Sequence, residues 1–300
     1  MVIKEGKGSG NLDILSFLQR RGQMVAIFIP GIISKLETIT PNEIRLIEIT
    51  LPSVFLVDAK ELIVTDEMLP GNAFVAIPKK IKRAYTRSNC SKINPMILQT
   101  IVNDTHNNAN TSRWWQKPNL NLGTEIPIRM ETIEQGNILK PFELQMRDRA
   151  KSLQLESDAW WGDKKFVCIA FSTGITPFLA YVRHMATQGF QDTHVVLIVS
   201  VKNREFLICH DELMGLHKKF PRHFNYEPWI TRPAGKQDSR LRLIWEEDSH
   251  INMTNLLMLV PDLTDRHVRI CGGKQPNQQL QQGIKEYGIS IQSYRAEAWG

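Results

Sequence analysis

Apolar residues in the first half of the chain come in short runs, and turn residues separate these runs. The runs lie at residues 27–33, 44–51 and 73–77, and further strands are predicted at 126–133 and 153–156. Short β-rich runs between turns are typical of a small antiparallel barrel or sandwich. Between the last two of these strands, the pattern predicts a helix from Gly136 to about Arg149.

The second half of the chain alternates strands with helices. Strands are predicted at residues 166–171, 194–201, 224–230, 267–271 and 289–297, and helices at 177–187, 206–219, 253–259 and 275–287. This alternation implies a parallel sheet that is covered by helices on both faces. Ligands of such sheets bind beyond the carboxyl ends of the strands, where the strand order reverses.

These patterns divide the chain into three segments. Residues 1–25 are an accessory element, with a short helix predicted at 10–22 from the spacing of its apolar residues. Residues 26–160 form the antiparallel barrel, and residues 161–300 form the parallel α/β domain. Within the barrel, the asparagine-rich segment 87–122 has the weakest signals of regular structure, and we predict that it is a long surface loop.

The composition excludes several classes of protein. Hydrophobic residues make up 42% and charged residues 23% of the 300 residues, which is typical of a folded globular protein and not of a disordered chain. The longest apolar run, residues 24–33, is interrupted by Pro30 and Gly31 and is half of the roughly 20 residues that cross a membrane. The first residues lack a secretory signal pattern, so we expect a cytoplasmic protein.

The cysteines point to neither a metal site nor an iron–sulfur cluster. They are widely separated at Cys90, Cys168, Cys209 and Cys271. Zinc sites and iron–sulfur clusters require closely spaced cysteines. We therefore expect reduced thiols and no bound metal.

The balance of charges favours an anionic partner. The chain has 37 Lys and Arg residues against 31 Asp and Glu residues, a formal net charge of +6. An acidic protein, a phosphorylated cofactor or a nucleic acid would suit this charge, and a solvated, mildly basic surface is the alternative. Because no segment concentrates the charge as a nucleic-acid-binding arm does, we expect no nucleic acid partner.

The strongest local motif is a buried strand that runs into the turn Thr173-Gly174 and then into a helix with Pro177 in its first turn. Such a turn presents backbone N–H groups and the positive end of a helix to an anion, most naturally a pyrophosphate. An ordinary connection between a strand and a helix is the alternative interpretation.

Two further motifs bear on chemistry. Cys271-Gly272 ends another parallel strand, where the missing side chain lets a flat ligand approach the backbone; a buried thiol before a turn is the alternative. Arg83, Tyr85 and Thr86 place a cation, an aromatic ring and a hydroxyl together, with Arg83 and Tyr85 on one face of an extended chain. Taken alone, Tyr85 is better explained as a packed strand aromatic.

Taken in order, these motifs resemble those of the ferredoxin–NADP reductase superfamily, flavoproteins with a two-domain β and α/β architecture. The resemblance covers about residues 32–299 and implies an N-terminal antiparallel FAD-binding β-barrel followed by a C-terminal parallel α/β NADP-binding domain. The matching motifs are the flavin signature at 83–86, the T-G-x-[AT]-P turn at 173–177, Asp211-Glu212-Leu213, the strand ending at 231–233, Cys271-Gly272 and the C-terminal residues 296–299.

One segment departs from the family pattern. Where the family holds the flavin pyrophosphate with a glycine and a hydroxyl residue, this chain has Gly136 and Asn137, followed by Lys140. No hydroxyl is present there, and Lys140 offers a charge in its place. The glycine-rich turn that usually precedes the second domain is also absent from residues 157–162.

The resemblance implies roles for the residues near the flavin. Tyr85 would stack on one face of the isoalloxazine, Thr86 would lie near its reactive nitrogen, and Arg83 would offset the pyrophosphate charge. Trp299 would cover the opposite face and would have to move aside for the nicotinamide.

For NADP(H), the resemblance implies that Thr173 and Gly174 bind the pyrophosphate while the nicotinamide approaches Cys271 and Gly272. Glu297 would handle a proton or orient the nicotinamide, or it is simply a surface carboxylate at the end of the chain.

NADPH is favoured over NADH by the basic residues at the end of one strand. Thr231, Arg232 and Arg240 would offer the donors that a 2′-phosphate needs, with Arg204 as a further contact. These arginines are equally compatible with a solvated surface.

The implied function is a flavin-dependent oxidoreductase that passes electrons between NADPH and an external, acidic carrier such as a ferredoxin or flavodoxin. A reductase component for an oxygenase or for a small-molecule acceptor is the alternative within the same class. A different class is an interaction module with weak or lost flavin binding, in which the N-terminal helix and the 87–122 segment serve a larger assembly.

Overall fold

A computed structural model of the chain describes residues 27–40, 44–57, 60–66, 68, 70, 72–77, 83–103, 120–133, 138–141, 143–144, 164–231, 245–246 and 251–299. The structural statements below refer to these residues. The helix predicted at 10–22, the strand predicted at 153–156 and the domain boundary near residue 160 lie outside them.

The N-terminal part is a curved, mostly antiparallel sheet. Its strands are β1 (Ile27–Thr38), β2 (Ile44–Thr50), β3 (Val54–Val57), β4 (Lys60–Val64), β5 (Ala73–Ala76), β6 (Arg83–Thr86), β7 (Ile97–Asn103), β8 (Glu125–Ile133), β9 (Ile138–Pro141) and β10 (Glu143–Leu144). The order is β3-β4-β9-β8-β1-β2-β7, and β5 pairs with β6, β8 and β10. The predicted antiparallel barrel is confirmed as a half-barrel.

Two predictions for this domain are wrong. The segment 87–122 contains β7, which pairs with β2 in an antiparallel register and buries most of its side chains, so it is not one long surface loop. The helix predicted to begin at Gly136 is contradicted by β9 and β10, because residues 138–141 and 143–144 are strands. In β9, pairing with β8 and burial of Leu139 outweigh the local preference for a helix.

The C-terminal part is a six-stranded parallel sheet, as the alternating pattern predicts. Its strands are β11 (Lys165–Phe171), β12 (His194–Val201), β13 (Phe224–Ile230), β14 (Trp245–Glu246), β15 (His267–Gly273) and β16 (Ser293–Trp299), in the order β14-β13-β12-β11-β15-β16. The chain runs outward from β11 to β14 on one side and returns to the other side at β15. The strand order therefore reverses between β11 and β15, where such sheets bind ligands.

The helices follow the sequence pattern with one clear difference. They are α1 (Thr176–Thr187), α2 (His210–Lys219), α3 (Met253–Leu259) and α4 (Lys274–Glu286). The helix predicted from residue 206 begins at His210, because Cys209 has a φ of 54° and a left-handed residue cannot continue a helix. None of the helices in the described part of the chain is long and apolar enough to cross a membrane.

The two sheets share a packed interface. Apolar side chains of β11, β12, β13 and α1 form one core on one face of the parallel sheet. Ile44 and Ile101 of the N-terminal sheet belong to this same core, and both are buried. The interface therefore fixes β2 and β7 against the C-terminal domain.

Candidate active site

The turn after β11 is tightly closed and leads directly into a helix. Phe171 ends the strand, Ser172 takes a left-handed φ of 54°, and a single 3₁₀ turn, Ser172–Ile175, leads directly into α1. The Thr176 hydroxyl donates to the Thr173 carbonyl at 2.6 Å, which closes the turn. Pro177 lies at the start of α1, where a missing N–H costs nothing. The turn predicted at Thr173-Gly174 is thus present.

The turn after β15 interlocks with this first turn. A Cβ atom on Gly174 would collide with the carbonyl oxygen of Cys271. Gly272 has a φ of 138°, and a Cβ there would lie 2.6 Å from the Cβ and the carbonyl oxygen of Phe171. Because real Cβ atoms do not approach backbone so closely, both glycines are required by the contact between the turns. Thr173, Gly174, Cys271 and Gly272 therefore form one site at the point where the strand order reverses.

The C-terminal strand β16 borders the same site. Cys271 is paired with Glu297, Gly272 with Ala298 and Gly273 with Trp299 in a parallel register. The backbones of Glu297 and Trp299 thus lie beside the Cys271-Gly272 turn, as the resemblance implies, whereas the side chain of Trp299 is outside the described part of the chain. The Cys271 side chain is fully buried.

The proposed flavin signature forms a strand of the N-terminal sheet. In β6, Tyr85 is paired with Phe74 and their ring centroids are 5.9 Å apart, tilted by 37°. Arg83 is exposed, Tyr85 is half-buried and Thr86 is buried. The Thr100 hydroxyl of β7 donates to the carbonyl of Thr86 at 2.8 Å. Tyr85 therefore packs on the barrel while keeping part of its ring accessible, and both interpretations of its role remain compatible with the structure.

A buried ion pair, which no sequence pattern predicts, holds the chain after β6 in place. Arg87 is fully buried and donates to both carboxylate oxygens of Asp66, at 2.6 and 2.7 Å. It also donates to the Asn89 side chain at 2.8 Å and to the Ile97 carbonyl at 2.9 Å. Arg87 is therefore a structural residue.

Strand β7 connects the two candidate cofactor sites. It contacts β6 and also the Ser172–Ile175 turn. The hydrogen bond from Thr100 to Thr86 ties β7 to the flavin signature, and Ile101 packs in the core of the C-terminal domain. The turn that we assign to the nucleotide and the strand that we assign to the flavin are thus held by one common element.

Arg183 of α1 is the central residue of the interface between the domains. Its guanidinium binds both carboxylate oxygens of Glu212 on α2, at 2.7 and 2.6 Å. The same group donates to the Ser88 carbonyl at 2.8 Å and to Oε1 of Gln99 in β7 at 2.7 Å. Planar bidentate pairing of this kind is specific to arginine. Arg183 thereby links α1 and α2 of the C-terminal domain to the N-terminal sheet.

The acceptors of Arg183 are themselves held in place. The Ser88 hydroxyl donates to Oε1 of Gln99 at 2.8 Å, and Nε2 of Gln99 donates to Glu48 of β2 at 2.8 Å. Cys209 lies 3.5 Å from Arg183, and burial raises the pKa of the Cys209 thiol to about 11. The interface is therefore a connected polar network and not an isolated contact.

A second contact across the interface joins Cys90 to His184. The thiol sulfur of Cys90 is 3.5 Å from Nδ1 of His184, and both residues are buried. Burial, followed by the positive charge of Lys92, lowers the pKa of His184 to about 4. His184 is therefore neutral in the folded protein at physiological pH.

This lowered pKa predicts a loss of stability in acid. An unfolded histidine binds a proton near pH 6.5, whereas folded His184 resists protonation down to about pH 4. The free energy of unfolding contains the full contribution of neutral His184 above pH 6.5. As the pH drops from 6.5 toward 4, this free energy decreases by at most about 1.4 kcal/mol per pH unit. The free energy of unfolding, measured with urea, should depend differently on pH in the wild type and in His184→Gln between pH 4 and 6.5. Parallel plots of this free energy against pH would contradict the lowered pKa of His184.

The remaining predicted residues have varied positions. Lys140 lies on β9 with its Nζ 3.3 Å from Oε1 of Glu131. Thr231 follows β13, is buried, and its N–H donates to the Val201 carbonyl at 2.9 Å. Arg204 lies in a 3₁₀ turn that follows β12, at the same edge of the sheet. Gly136, Asn137, Arg232 and Arg240 lie outside the described residues.

Comparison with known proteins supports the division of the chain seen in the structure. Residues 169–280 match the family model described as "Oxidoreductase NAD-binding domain". This range begins in β11 and ends in α4, so it includes both interlocked turns. A comparison of the whole sequence with curated proteins finds no match.

Solved structures match almost the whole chain. An Amycolatopsis cytochrome P450 reductase is 14% identical, with a TM-score of 0.64 over 92% of this chain and 71% of that one. A ferredoxin NADP⁺ reductase from Neisseria gonorrhoeae with bound FAD and NADP is 17% identical, with a TM-score of 0.61 over 90% and 98%. The chain has the ferredoxin–NADP reductase fold. The FAD/NAD-binding domain of nitric oxide dioxygenase from Vibrio cholerae, which is 13% identical, matches over 90% and 98% with a TM-score of 0.62.

The resemblance seen in the sequence is therefore confirmed for the ferredoxin–NADP reductase fold and for its nucleotide-binding domain. The sequence analysis did not identify the residues that hold the strands and the two domains together, which are Arg183, Arg87 and Gln99. Arg183 gave one usable signal, because this charged residue directly follows the apolar stretch of residues 177–182 in a predicted helix.

Proposed function

We propose that this protein is a cytoplasmic FAD-dependent oxidoreductase, which takes electrons from NADPH and passes them to an external one-electron carrier. The supporting observation is the position of β7, which contacts the flavin-signature strand and the Ser172–Ile175 turn at once. Electron transfer between two cofactors requires their binding sites to be held in a fixed relation, and β7 and Arg183 hold the two domains in this way.

The residues present fit FAD on the N-terminal sheet. An exposed cation at Arg83 suits a pyrophosphate, and a half-buried ring at Tyr85 suits a flat aromatic ligand. When bound, FAD supplies the exchange between a two-electron hydride and single electrons. The chain itself would bind and orient the group: Arg83 would neutralise charge and Tyr85 would provide a stacking surface, with the buried Thr86 next to it in the strand.

The residues present also fit a dinucleotide at the interlocked turns. Gly174 and Gly272 let the two turns pack directly against each other beside the start of α1, and N–H groups and the helix dipole at such a helix start favour a pyrophosphate. The β15 turn and β16 would hold the nicotinamide end, near Cys271, Glu297 and Trp299. Glu297 would accept or orient a proton there, and Trp299 would exclude water until the nicotinamide replaces it.

The preference for NADPH rests on basic residues near the end of β12 and β13. Arg204 and Thr231 lie at that edge of the sheet, and Arg232 follows Thr231 in the chain. Together with Arg240, they would supply the charge-assisted hydrogen bonds that a 2′-phosphate needs.

The electron acceptor that we propose is an acidic ferredoxin or flavodoxin, which the net charge of +6 suits. An oxygenase is the second candidate, since one structure with this fold is described as a cytochrome P450 reductase. The interaction module without flavin stays the alternative from another class, because the segment that would hold the flavin pyrophosphate has Asn137 after Gly136 and lacks a hydroxyl residue.

A panel of acceptors tests the proposed function. The purified protein, supplied with FAD, is mixed with NADPH or NADH and with ferricyanide, a ferredoxin, a flavodoxin or oxygen alone. We expect rapid reduction of ferricyanide and of one acidic carrier, faster with NADPH than with NADH. Turnover with oxygen alone would identify a small-molecule acceptor, and no turnover with any acceptor would contradict the enzyme function.

Replacing Arg83 by Ala should weaken FAD binding. The change removes a charge-assisted hydrogen bond of about 1.5–3 kcal/mol, or roughly 10-fold to 150-fold in affinity. Fluorescence titration of the apoprotein with FAD measures it, with Arg83→Lys as a partial rescue. Lys92→Ala removes another exposed cation of the same domain and is the control. An equal affinity of Arg83→Ala and wild type would show that the flavin is held elsewhere.

A further inference from the structure

Asn277 lies in the first turn of α4 and is almost completely buried, with 4% of its surface exposed. Its Nδ2 atom donates to the carbonyl of Gly272 at 3.2 Å and to the carbonyl of Glu297 at 3.2 Å. These two acceptors belong to β15 and β16. One side chain therefore joins the glycine turn to the C-terminal strand.

The chemistry of the two acceptors fixes the orientation of the amide. Backbone carbonyls only accept hydrogen bonds, so the atom that faces both of them must be the NH₂ nitrogen, and both of its hydrogens are used. The Oδ1 atom is buried and has no hydrogen-bond partner among the residues that the structure describes. A buried amide oxygen without a hydrogen-bond partner destabilises the folded state. The side chain keeps this orientation because the two donated hydrogen bonds outweigh the loss of a bond to the oxygen.

These hydrogen bonds hold strand β16, which otherwise pairs with the sheet on one side. Strand β16 is the last strand of the sheet and pairs with β15 alone in the described part of the sheet. Asn277 adds a contact from the helix to the carbonyl of Glu297, at the point where Glu297 is paired with Cys271. The end of β16 is thereby fixed relative to the turn that would receive the nicotinamide.

We propose that Asn277 is a positioning residue for hydride transfer: it fixes the end of β16, with Glu297 and Trp299, against the Cys271-Gly272 turn. This inference rests on the proposed function. It concerns the nicotinamide end of the site, because the turn at Thr173-Gly174 lies on the other side of β15 and receives no hydrogen bond from Asn277 among the described contacts.

The test compares Asn277→Asp with Gln278→Glu. The first variant keeps the shape of the side chain but turns a donor into an acceptor that faces two carbonyl oxygens. The second adds the same charge to the same turn of α4 at an exposed position, so it controls for charge. If Asn277→Asp does not fold, Asn277→Leu takes its place in the test, because it removes the donor without adding charge.

Hydrogen exchange gives the structural result without any cofactor. Amides of residues 293–299 should exchange at least about tenfold faster in Asn277→Asp and remain as in the wild type in Gln278→Glu, while residues 194–201 of β12 stay unchanged in both. Wild-type exchange of residues 293–299 in the Asn277 variants would overturn the proposal.

Kinetics then separate positioning from stability. Flavin reduction by NADPH should slow by about tenfold or more in Asn277→Asp, while the KM for NADPH changes less than twofold, since the pyrophosphate turn is untouched. Faster exchange with an unchanged rate of reduction, or a change in KM equal to that in the rate, would overturn the positioning role. A wild-type protein that neither binds FAD nor oxidises NADPH would instead contradict the proposed function, and the exchange experiment would still report whether Asn277 holds β16.

Discussion

Gly174→Ala should slow the reduction of flavin by NADPH by about 100-fold while the N-terminal sheet remains folded. The new Cβ would collide with the carbonyl oxygen of Cys271, and a backbone atom cannot rotate away as a side chain can. The two interlocked turns must separate to make room. A displacement of about 1 Å at a reaction site costs on the order of 100-fold in rate, and overpacking costs about 1–3 kcal/mol of stability.

The same substitution at Gly215 provides the matched control. Gly215 is in the middle of α2, and a Cβ there would have no neighbour within 4 Å. Alanine at a helical glycine with open space should stabilise the helix by about 0.5–1 kcal/mol. Stopped-flow reduction of bound flavin by NADPH and thermal unfolding measure both effects. A Gly174→Ala variant with a normal rate would show that the interlocked turns are not the nucleotide site.

Arg183→Ala should uncouple the two domains. The side chain of Arg183 is 13% exposed and that of its partner Glu212 is 39% exposed, so the ion pair is partly screened by solvent. The hydrogen bonds to Ser88 and Gln99 are lost as well. We expect the free energy of unfolding to fall by about 1–3 kcal/mol, and flavin reduction by NADPH to slow by roughly 100-fold through misalignment.

The binding of each cofactor alone distinguishes uncoupling from local damage. In Arg183→Ala, the affinity for FAD and for NADP⁺ should stay within about threefold of the wild type, because neither site contains Arg183. Arg222→Ala removes an exposed arginine of the same domain and should change neither rate nor stability. Normal flavin reduction in Arg183→Ala would mean that the shared apolar core holds the domains without this network.

The parallel sheet was predictable because its strands are continuous apolar runs that end in glycine or polar turns. β11 and β12 have almost no exposed side chains, and such runs can be recognised without knowledge of their neighbours. The half-barrel gave weaker signals. β9 and β10 are short and depend on pairing with β8 and β5, which a local pattern does not contain.

β7 shows why composition misleads. Its apolar run at Ile97–Asn103 is short and is followed by an asparagine-rich stretch, so the averaged segment is typical of a loop. Pairing with β2 and burial between two domains make it a strand. This strand, which was not predicted, connects the two candidate sites.

The glycines could be found in the sequence because backbone geometry restricts which residues occupy those turns, whereas residues 83–86 were singled out by their resemblance to a family motif. Arg183 and Asn277 act through hydrogen bonds to backbone carbonyls and side chains distant in sequence. Such contacts leave no local pattern. A charged or amide residue at a predicted buried position is the one sequence feature that could have marked them.

Anaerobic addition of NADPH to the protein reconstituted with FAD is the most direct test of the central claim, that one rigid pair of domains holds both cofactors for hydride transfer. A bound flavin absorbs near ~450 nm. The account predicts that this band is lost rapidly with NADPH, more slowly with NADH, and about 100-fold more slowly with NADPH in Gly174→Ala and Arg183→Ala. Protein that takes up no flavin, or a bound flavin that neither nucleotide reduces, would contradict it.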